Sequence, residues 1–428
     1  MKKRTKLAAG MLALSLLLSG CVMRTVDELY CLPQRTQANN DLQSVIDKAM
    51  ENLSYCAPLN GENRQTVQTV DLDGDGVDEY VVLARNNSAE PLKILIFGQT
   101  STGYVLMDTI SAYGFAFDFI EFCNVDDRPG PEIIVGRQVG DGVVRSVAVY
   151  SLYSGYARML LEANYSVMLT HDMDLDGRSE LIFLQPAGTS GRSSYALLYR
   201  YKDGQMELSS QYELPYAADS ILSMEGVTLH DGMPAMMITS EEKNLRNFDL
   251  FTMQFKRLNH ILGPVSAGKL GDSFVSAMDV DLDGDVDLPE LIPVAGTEND
   301  AQGEKWVLWF DVDAEGNRYD GMYTYFNNEE NWYLHMDSRW TEKLTVTREE
   351  GTCVFADANG EMVLSIYALS GENRYEQAER MRATILGSSG TTLFVAKLGV
   401  RAAEYGITEQ RLPRLFYTFS VAINEQGG

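Results

Sequence analysis

Short apolar runs alternate with polar turns along most of the chain beyond residue 60. The runs are rich in β-branched and aromatic residues and are bounded by glycine, proline, asparagine or aspartate, a pattern that predicts short strands. Strands are predicted at 80–83, 92–97, 104–110, 133–135, 146–150, 157–162, 181–184, 195–201 and 205–214. The sequence therefore predicts a mainly β fold.

An acid-rich loop precedes an apolar strand at four places, namely 71–79, 124–132, 172–180 and 279–290. The last acids of the first three loops, Glu79, Glu132 and Glu180, are 53 and 48 positions apart, and Glu290 follows 110 positions later. Halfway along that longer interval, residues 230–234 form a divergent copy of the loop, which we call the fourth loop, and another apolar strand follows it. Five units of about 50 residues, each with room for four strands, favour propeller blades over a helical solenoid.

These loops resemble the FG-GAP or VCBS type repeats of integrin-like β-propellers, over roughly residues 62–335. The resemblance implies a β-propeller-like array of about five four-stranded blades at 62–338. It also implies calcium in the loops.

The loop chemistry supports calcium without the resemblance. Acids at loop positions 1, 3 and 5 converge their oxygens on one point, and glycine at position 6 permits the turn. Oxygen ligands without histidine or cysteine select a hard ion, and a flexible, carboxylate-rich loop favours Ca²⁺ over Mg²⁺. Position 12 is Val82 in the first loop and Phe183 in the third, so neither is an EF-hand loop.

Three loops are predicted to hold Ca²⁺. The predicted ligands are Asp71, Asp73, Asp75, Glu79 and the carbonyl of Val77 in the first loop, and Asp172, Asp174, Asp176, Glu180 and the carbonyl of Arg178 in the third. In the fifth loop they are Asp279, Asp281 and Asp283, with Asp287 or Glu290 completing the shell. The second loop has Arg128 in place of an acid and is predicted to hold no metal. The alternative for every loop is a solvated Asp-Gly turn.

The first residues predict export. A basic start at Lys2, Lys3, Arg4 and Lys6 is followed by an apolar run over 7–18, which is the layout of a secretory signal. The run ends in Leu-Ser-Gly-Cys21, which resembles the lipobox of bacterial lipoproteins. We therefore expect a signal peptide at 1–20, a lipid on Cys21 and a position on the outside of a bacterial membrane. An ordinary signal peptide with a chance cysteine is the alternative.

Two further segments flank the repeats. After a tether, Leu42, Val45, Ile46, Ala49 and Leu53 form an apolar stripe at helical spacing, so 21–61 is predicted to be a lipidated tether and a helix packed on the first sheet. Residues 339–428 are predicted to be a small α+β domain, with a sixth, divergent blade as the alternative. Its predicted strands are 343–348, 352–356, 362–368, 380–386 and 392–397, and its predicted helices are 400–405 and 408–419.

All four tryptophans lie within one short segment, at Trp306, Trp309, Trp332 and Trp340. Exposed rings of this kind would form a platform for sugar rings. The alternative is that they fill the joint between sheets, since strand alternation places Trp306 and Trp309 on opposite faces.

Charge and motifs limit the function. A formal net charge of −26 repels nucleic acid, so a nucleic-acid partner is excluded. The four histidines, His171, His230, His260 and His335, are scattered, and none lies in a metal or nucleophile motif. The sequence favours a lipid-anchored cell-surface binding module for a glycan or protein, attached to the membrane through its lipid only. A surface enzyme that acts on polysaccharide is the alternative.

Overall fold

A computed structural model describes residues 37–419, apart from 141–144, 188–192, 272, 298–299, 301–302 and 350. The predicted signal peptide and Cys21 lie outside the described residues. The fold is mainly β, as predicted, and consists of several antiparallel sheets. Among the described residues, no helix has both the length and the apolar character needed to cross a membrane.

The N-terminal helix, α1 (Gln37–Ala49), packs on the first sheet. Its residues Leu42 and Ile46 are buried against Val82 and Phe97. The apolar stripe identified in the sequence therefore covers one face of the sheet, while the polar face of the helix remains in solvent.

Five sheets follow one another along the chain, and each contains at least four antiparallel strands. The first contains β1 (Ser54–Tyr55), β2 (Val67–Val70), β3 (Glu79–Arg85), β4 (Leu92–Thr100) and β5 (Gly103–Ala112). The second contains β6 (Ala116–Cys123), β7 (Glu132–Gln138), β8 (Arg145–Tyr153) and β9 (Tyr156–Tyr165). The third contains β10 (Val167–His171), β11 (Glu180–Ala187), β12 (Ser193–Lys202) and β13 (Gln205–Leu214).

The fourth sheet contains β14 (Ile221–Thr228), β15 (Pro234–Glu242), β16 (Leu245–Gln254) and β17 (Arg257–Ala267). A short hairpin of β18 (Lys269–Leu270) and β19 (Ser273–Phe274) leads to the fifth sheet. That sheet contains β20 (Leu288–Pro293), β21 (Lys305–Val312), β22 (Arg318–Asn327) and β23 (Trp332–Met336). Neighbours in these sheets are mostly neighbours in sequence, because short turns join antiparallel strands.

The apolar core is divided among the joints between consecutive sheets. One cluster joins the first and second sheets, and others join the second to the third, the third to the fourth, and the fourth to the fifth. Each sheet therefore has both faces covered, which explains why strands such as β3 and β7 are apolar on both sides.

A sixth sheet lies in the C-terminal segment. Its strands, in spatial order, are β24 (Leu344–Glu349), β25 (Thr352–Asp357), β26 (Met362–Leu369), β28 (Thr392–Leu398) and β27 (Thr384–Ser389). Two α-helices accompany it, α2 (Ser338–Thr341) and α3 (Arg374–Met381). This sheet shares a core cluster with the fifth sheet, and the last described strand, β29 (Phe416–Thr418), pairs with β23 of the fifth sheet.

Three local predictions in this segment are wrong. The strand predicted at 380–386 is instead the end of α3 followed by β27. The two predicted helices are short 3₁₀ turns at Ala402–Tyr405 and Leu412–Arg414, and β29 lies where the second helix was expected to end. Gly406 has a left-handed backbone that ends the first turn, and Pro413 lacks the N–H that a continuing helix needs.

Candidate metal centres

Each acid-rich loop is closed by an antiparallel pair between the residue before the loop and an acid that we call the closing acid. The pairs are Val70–Glu79, Cys123–Glu132, His171–Glu180 and Met278–Asp287. The four acid-rich loops therefore share this closure. In the fifth loop the closing acid is Asp287, three positions before the Glu290 from which the spacing was measured.

The closing acid also holds the backbone of its own loop. In all four loops its carboxylate accepts the N–H of the second loop residue at 2.8 or 2.9 Å; these residues are Leu72, Val125, Met173 and Val280. The side chains of the same four residues are at most 2% exposed. One buried apolar side chain and one buried carboxylate thus anchor each loop. This anchor was not predicted from the sequence, although its signal is an apolar residue at the second position of each of the four loops.

The first aspartate shapes the turn in the first and third loops. Asp71 accepts the N–H groups of Gly74 and Gly76 at 2.8 and 2.9 Å. Asp172 accepts the N–H of Gly177 at 2.9 Å in the same way. Gly76 has a φ of +88°, so a side chain would strain this position.

The fifth-position acids are directed to the loop backbone. Asp75, Asp176 and Asp283 each accept the N–H two residues later, at 2.8 to 3.1 Å. The structure does not bring these three predicted ligands into the acid clusters described below. The carbonyls of Val77 and Arg178 stay predictions.

In the first loop, Asp71, Asp73 and Glu79 each place an oxygen within 4.8 Å of the others. Calcium–oxygen distances of about 2.3–2.6 Å allow two oxygens on one ion to be as much as about 5 Å apart, so this spacing fits Ca²⁺. Within the described part of the chain, none of the three forms an ion pair with a basic side chain. Burial, with the nearby carboxylates of Asp73 and Asp75, raises the pKa of Glu79 to about 7. A bound cation would relieve that cost.

In the third loop, Asp172, Asp174 and Glu180 form the corresponding cluster, again within 4.8 Å. Here Arg200 of β12 enters it: Nε contacts Glu180 at 2.8 Å and a terminal nitrogen contacts Asp174 at 2.9 Å. Burial raises the pKa of Glu180, while the hydrogen bond from Arg200 lowers it. The guanidinium supplies positive charge where the sequence predicted a calcium ion, so this loop fits Ca²⁺ less well than the first.

In the fifth loop, Asp279, Asp281 and Asp287 form the cluster, and Glu290 is not part of it. Glu290 is exposed on β20 and forms an ion pair with Arg318 at 2.6 Å. The prediction of Glu290 as a ligand is therefore wrong, because strand alternation turns it away from the loop. Burial and a hydrogen bond to Asp311 raise the pKa of Asp287 to about 8. Oxygen-only donors at this spacing fit Ca²⁺.

The second loop is arranged differently. The hydroxyl of Ser151 lies 2.9 Å from both Asp126 and Glu132, and its single hydrogen is shared between this carboxylate pair. Arg128 lies 4.0 Å from Asp126. A hydroxyl donor and the positive charge of a nearby guanidinium thus stabilise these two carboxylates.

The predicted tryptophan platform is wrong. Trp306, Trp309, Trp332 and Trp340 are all between 0% and 1% exposed. Trp306 and Trp332 pack in the core between the fifth and sixth sheets, whereas Trp309 packs on the other face of the fifth sheet. The rings fill the joint between sheets, which was the alternative stated for them, and none can stack on a sugar.

No family model matches the chain, and no curated protein matches it. Among solved structures, the chain is similar to rhamnogalacturonan lyase YesW, with a TM-score of 0.32, 15% identity, and coverage of 71% of this chain and 61% of the lyase. It is also similar to a PL11 rhamnogalacturonan lyase of Bacillus licheniformis, with a TM-score of 0.30, 13% identity, and coverage of 56% and 55%. The chain thus spans less than two thirds of the length of each lyase, and both similarities are weak.

Proposed function

We propose that this protein is a calcium-stabilised binding module at the outer surface of a bacterial cell, with a glycan or a protein as its ligand. The observation that carries the proposal is the convergence of acids in the first and fifth loops. In each, three carboxylates lie within 4.8 Å of one another and are braced by backbone N–H groups of the same loop. Carboxylates this close repel one another and destabilise the closed loop unless a cation neutralises their charge.

The sheets support a propeller-like arrangement, the finer fold that the FG-GAP or VCBS resemblance implies. Consecutive sheets of four or five strands share apolar cores, face against face, as neighbouring blades do. The sixth sheet continues this series, because it shares its core with the fifth.

The proposed metals are structural rather than catalytic. The closing acids lie just before buried strands and hold backbone N–H groups of their own loops, so an ion bound to them would brace the loop against the strand. Calcium also lowers the pKa of bound water much less than zinc does. The module would therefore retain its ligand without converting it.

Calcium is tested by melting the soluble chain with calcium and with chelator. Extracellular calcium modules bind at roughly 10⁻⁴–10⁻³ M. Millimolar calcium should then add about 0.4–1.4 kcal/mol per occupied site. Asp73→Ala should remove the share of the first site, whereas Asp78→Ala, an exposed acid of the same loop outside the cluster, should keep it. A calcium response identical in wild type and Asp73→Ala would count against the site.

Export and the lipid anchor are tested at Cys21. The Leu-Ser-Gly-Cys run after the apolar segment supports both. Cys21→Ala should release the protein from membranes or leave an uncleaved precursor, and fractionation followed by N-terminal sequencing detects either outcome. A mature N-terminus at any other residue overturns this part of the proposal.

Binding is separated from catalysis with a broad panel of glycans, peptides and phosphoesters. The soluble chain should retain some of them on a column and leave all of them intact. Turnover that is lost in Asp73→Ala, with the circular dichroism spectrum unchanged, would instead establish a surface enzyme.

A further inference from the structure

A cluster of one histidine and two aspartates lies where the fourth loop contacts the fifth sheet. His230, Asp285 and Asp311 each place a ligand atom within 4.8 Å of the others. Nδ1 of His230 lies 3.5 Å from Oδ2 of Asp285 and 3.4 Å from Oδ2 of Asp311. The three residues come from three elements: the loop after β14, the fifth acid-rich loop and β21.

Two backbone hydrogen bonds hold these three residues near one another. The N–H of His230 donates to the carbonyl of Val312 at 3.0 Å, and the N–H of Val286 donates to the carbonyl of Thr228 at 3.0 Å. Each bond joins the fourth-loop segment to a residue adjacent to one of the two aspartates. The imidazole is also held on one face, because Tyr319 stacks on it with ring centroids 4.3 Å apart. The three side chains are therefore positioned before any ligand arrives.

The two carboxylates are only partly satisfied. The side chain of Asp285 is 90% buried and that of Asp311 is 87% buried, since they are 10% and 13% exposed. Oδ1 of each is buried without a hydrogen-bond partner among the described residues. Buried carboxylate oxygens are normally hydrogen-bonded or bound to a metal, so both atoms are available to accept a cation.

The donor set differs from that of the calcium loops. An imidazole nitrogen with two carboxylate oxygens suits a borderline transition ion such as Zn²⁺, whereas Ca²⁺ takes oxygen ligands. Zinc bonds to nitrogen and oxygen are about 2.0–2.2 Å, so two ligands of a tetrahedral site lie about 3.3–3.6 Å apart. The two measured separations from Nδ1 fall in that range.

We propose that His230, Asp285 and Asp311 form a zinc-class binding site, separate in chemistry from the neighbouring calcium loop. The side chain of His230 is 41% exposed, so the ion reaches it from solvent. Three protein ligands leave a fourth tetrahedral position for water or for a group of a ligand.

The test titrates Zn²⁺ into the untagged soluble chain by calorimetry, in calcium sufficient to saturate the acid-rich loops. Wild type should bind one Zn²⁺ per chain at this site. His230→Asn and Asp311→Asn should each weaken binding at least tenfold. Asp231→Asn is the matched control, because this acid is adjacent to His230 in the same loop but outside the cluster, and it should bind Zn²⁺ as wild type does.

A second readout follows the histidine itself. Co²⁺ in place of Zn²⁺ should give a visible absorption spectrum of a tetrahedral ion in wild type, and His230→Asn should lose it. Circular dichroism confirms that the variants are folded. Either of two results would overturn the site: no Zn²⁺ binding by the calcium-saturated wild type, or unchanged affinity in a folded His230→Asn variant.

Discussion

Arg200 lies between two acids of the third loop and changes what that loop can bind. Its guanidinium contacts Glu180, whose side chain is 3% exposed, and Asp174, whose side chain is 30% exposed. The first loop has the same acids at the same positions but no such partner among the described residues. Two loops with acids at the same cluster positions therefore differ in charge balance because of a residue on another strand.

Replacing Arg200 with glutamine tests this difference. In chelator, Arg200→Gln leaves a buried carboxylate without its cation, and we expect a loss of about 3 kcal/mol in the free energy of unfolding. In millimolar calcium the freed oxygens can bind the ion, so the calcium-dependent stabilisation should exceed that of wild type. Denaturant unfolding with and without calcium measures both.

The control for this change is Arg380→Gln, since Arg380 is an exposed arginine that forms only a surface ion pair with Glu376. It should leave both values within about 0.5 kcal/mol of wild type. If Arg200→Gln and wild type gain equally from calcium, the guanidinium does not compete with the ion.

At the residue scale, some features of the loops could be predicted from the sequence and others could not. The acids at loop positions 1 and 3 lie in one cluster in the first, third and fifth loops, as their spacing indicates, and their role as metal ligands stays a prediction. Arg200 could not be predicted, since it reaches the loop from a strand 20 positions away. Between Asp287 and Glu290 the sequence left a choice, and the antiparallel pair of Asp287 with Met278 decides it.

The strands are joined from one sheet to the next by polar contacts as well as by apolar cores. Glu121 on β6 accepts a hydrogen bond from the hydroxyl of Thr170 on β10 at 3.1 Å. Burial raises the pKa of Glu121, the bond from Thr170 lowers it, and the charge of Glu62 raises it. The net direction is upward, so the folded protein holds this carboxylate in its charged form at a cost.

The sign of the pH dependence follows from that raised pKa. Below the unfolded value of 4.5 the group is protonated in both states and the cost is absent. As the pH rises through the folded pKa, Glu121 becomes charged in its buried position and the free energy of unfolding falls. Glu121→Gln keeps an acceptor for Thr170 and removes the charge, so it should be more stable than wild type at pH 7. The difference should vanish towards pH 4.

Unfolding of both proteins by urea across this pH range measures the difference directly, since other titrating groups are common to both. Glu162→Gln is not a suitable control, because Glu162 pairs with Arg137. Glu409→Gln removes an exposed acid instead, and should leave the stability unchanged across the range. A Glu121→Gln variant that is less stable at pH 7 than at pH 4, relative to wild type, would contradict the prediction.

Elements were predictable where their pattern was local. Period-two alternation and apolar runs between turns gave the strands of the first three units, and the apolar stripe gave α1. The 3₁₀ turns near residue 400 were not predicted, because a few apolar residues at helical spacing do not distinguish one turn from a full helix. There the glycine and proline positions outweigh the spacing.

At the scale of the whole molecule, the C-terminal segment and the repeats share one core. Trp306 and Tyr325 of the fifth sheet pack against Phe355 of the sixth, with ring centroids 6.4 and 5.3 Å apart. The indole N–H of Trp340 donates to the carbonyl of Tyr405 at 2.7 Å. The burial of these rings depends on a sheet that follows them in the chain. The sequence of the tryptophan segment alone therefore does not show that the rings are buried.

A chain that ends at residue 338 should therefore fail to fold as the full chain does. It loses the sixth sheet, so the face of the fifth sheet that carries Trp306, Tyr325 and Trp332 becomes exposed. It also loses β29, which leaves β23 as an unpaired edge. Each large apolar side chain returned to water costs about 1.5–3 kcal/mol, so a few of them match the whole stability of a typical domain.

Comparison of chains 37–338 and 37–419 by gel filtration and dye binding tests this dependence. The longer chain should be monomeric and bind little hydrophobic dye, whereas the shorter one should aggregate or bind the dye strongly. Both chains keep all the acid-rich loops, so calcium should not rescue the shorter one. A monomeric 37–338 chain with an unchanged melting temperature would instead mean that the C-terminal segment is an independent domain, because the fifth sheet would then be stable without its cover.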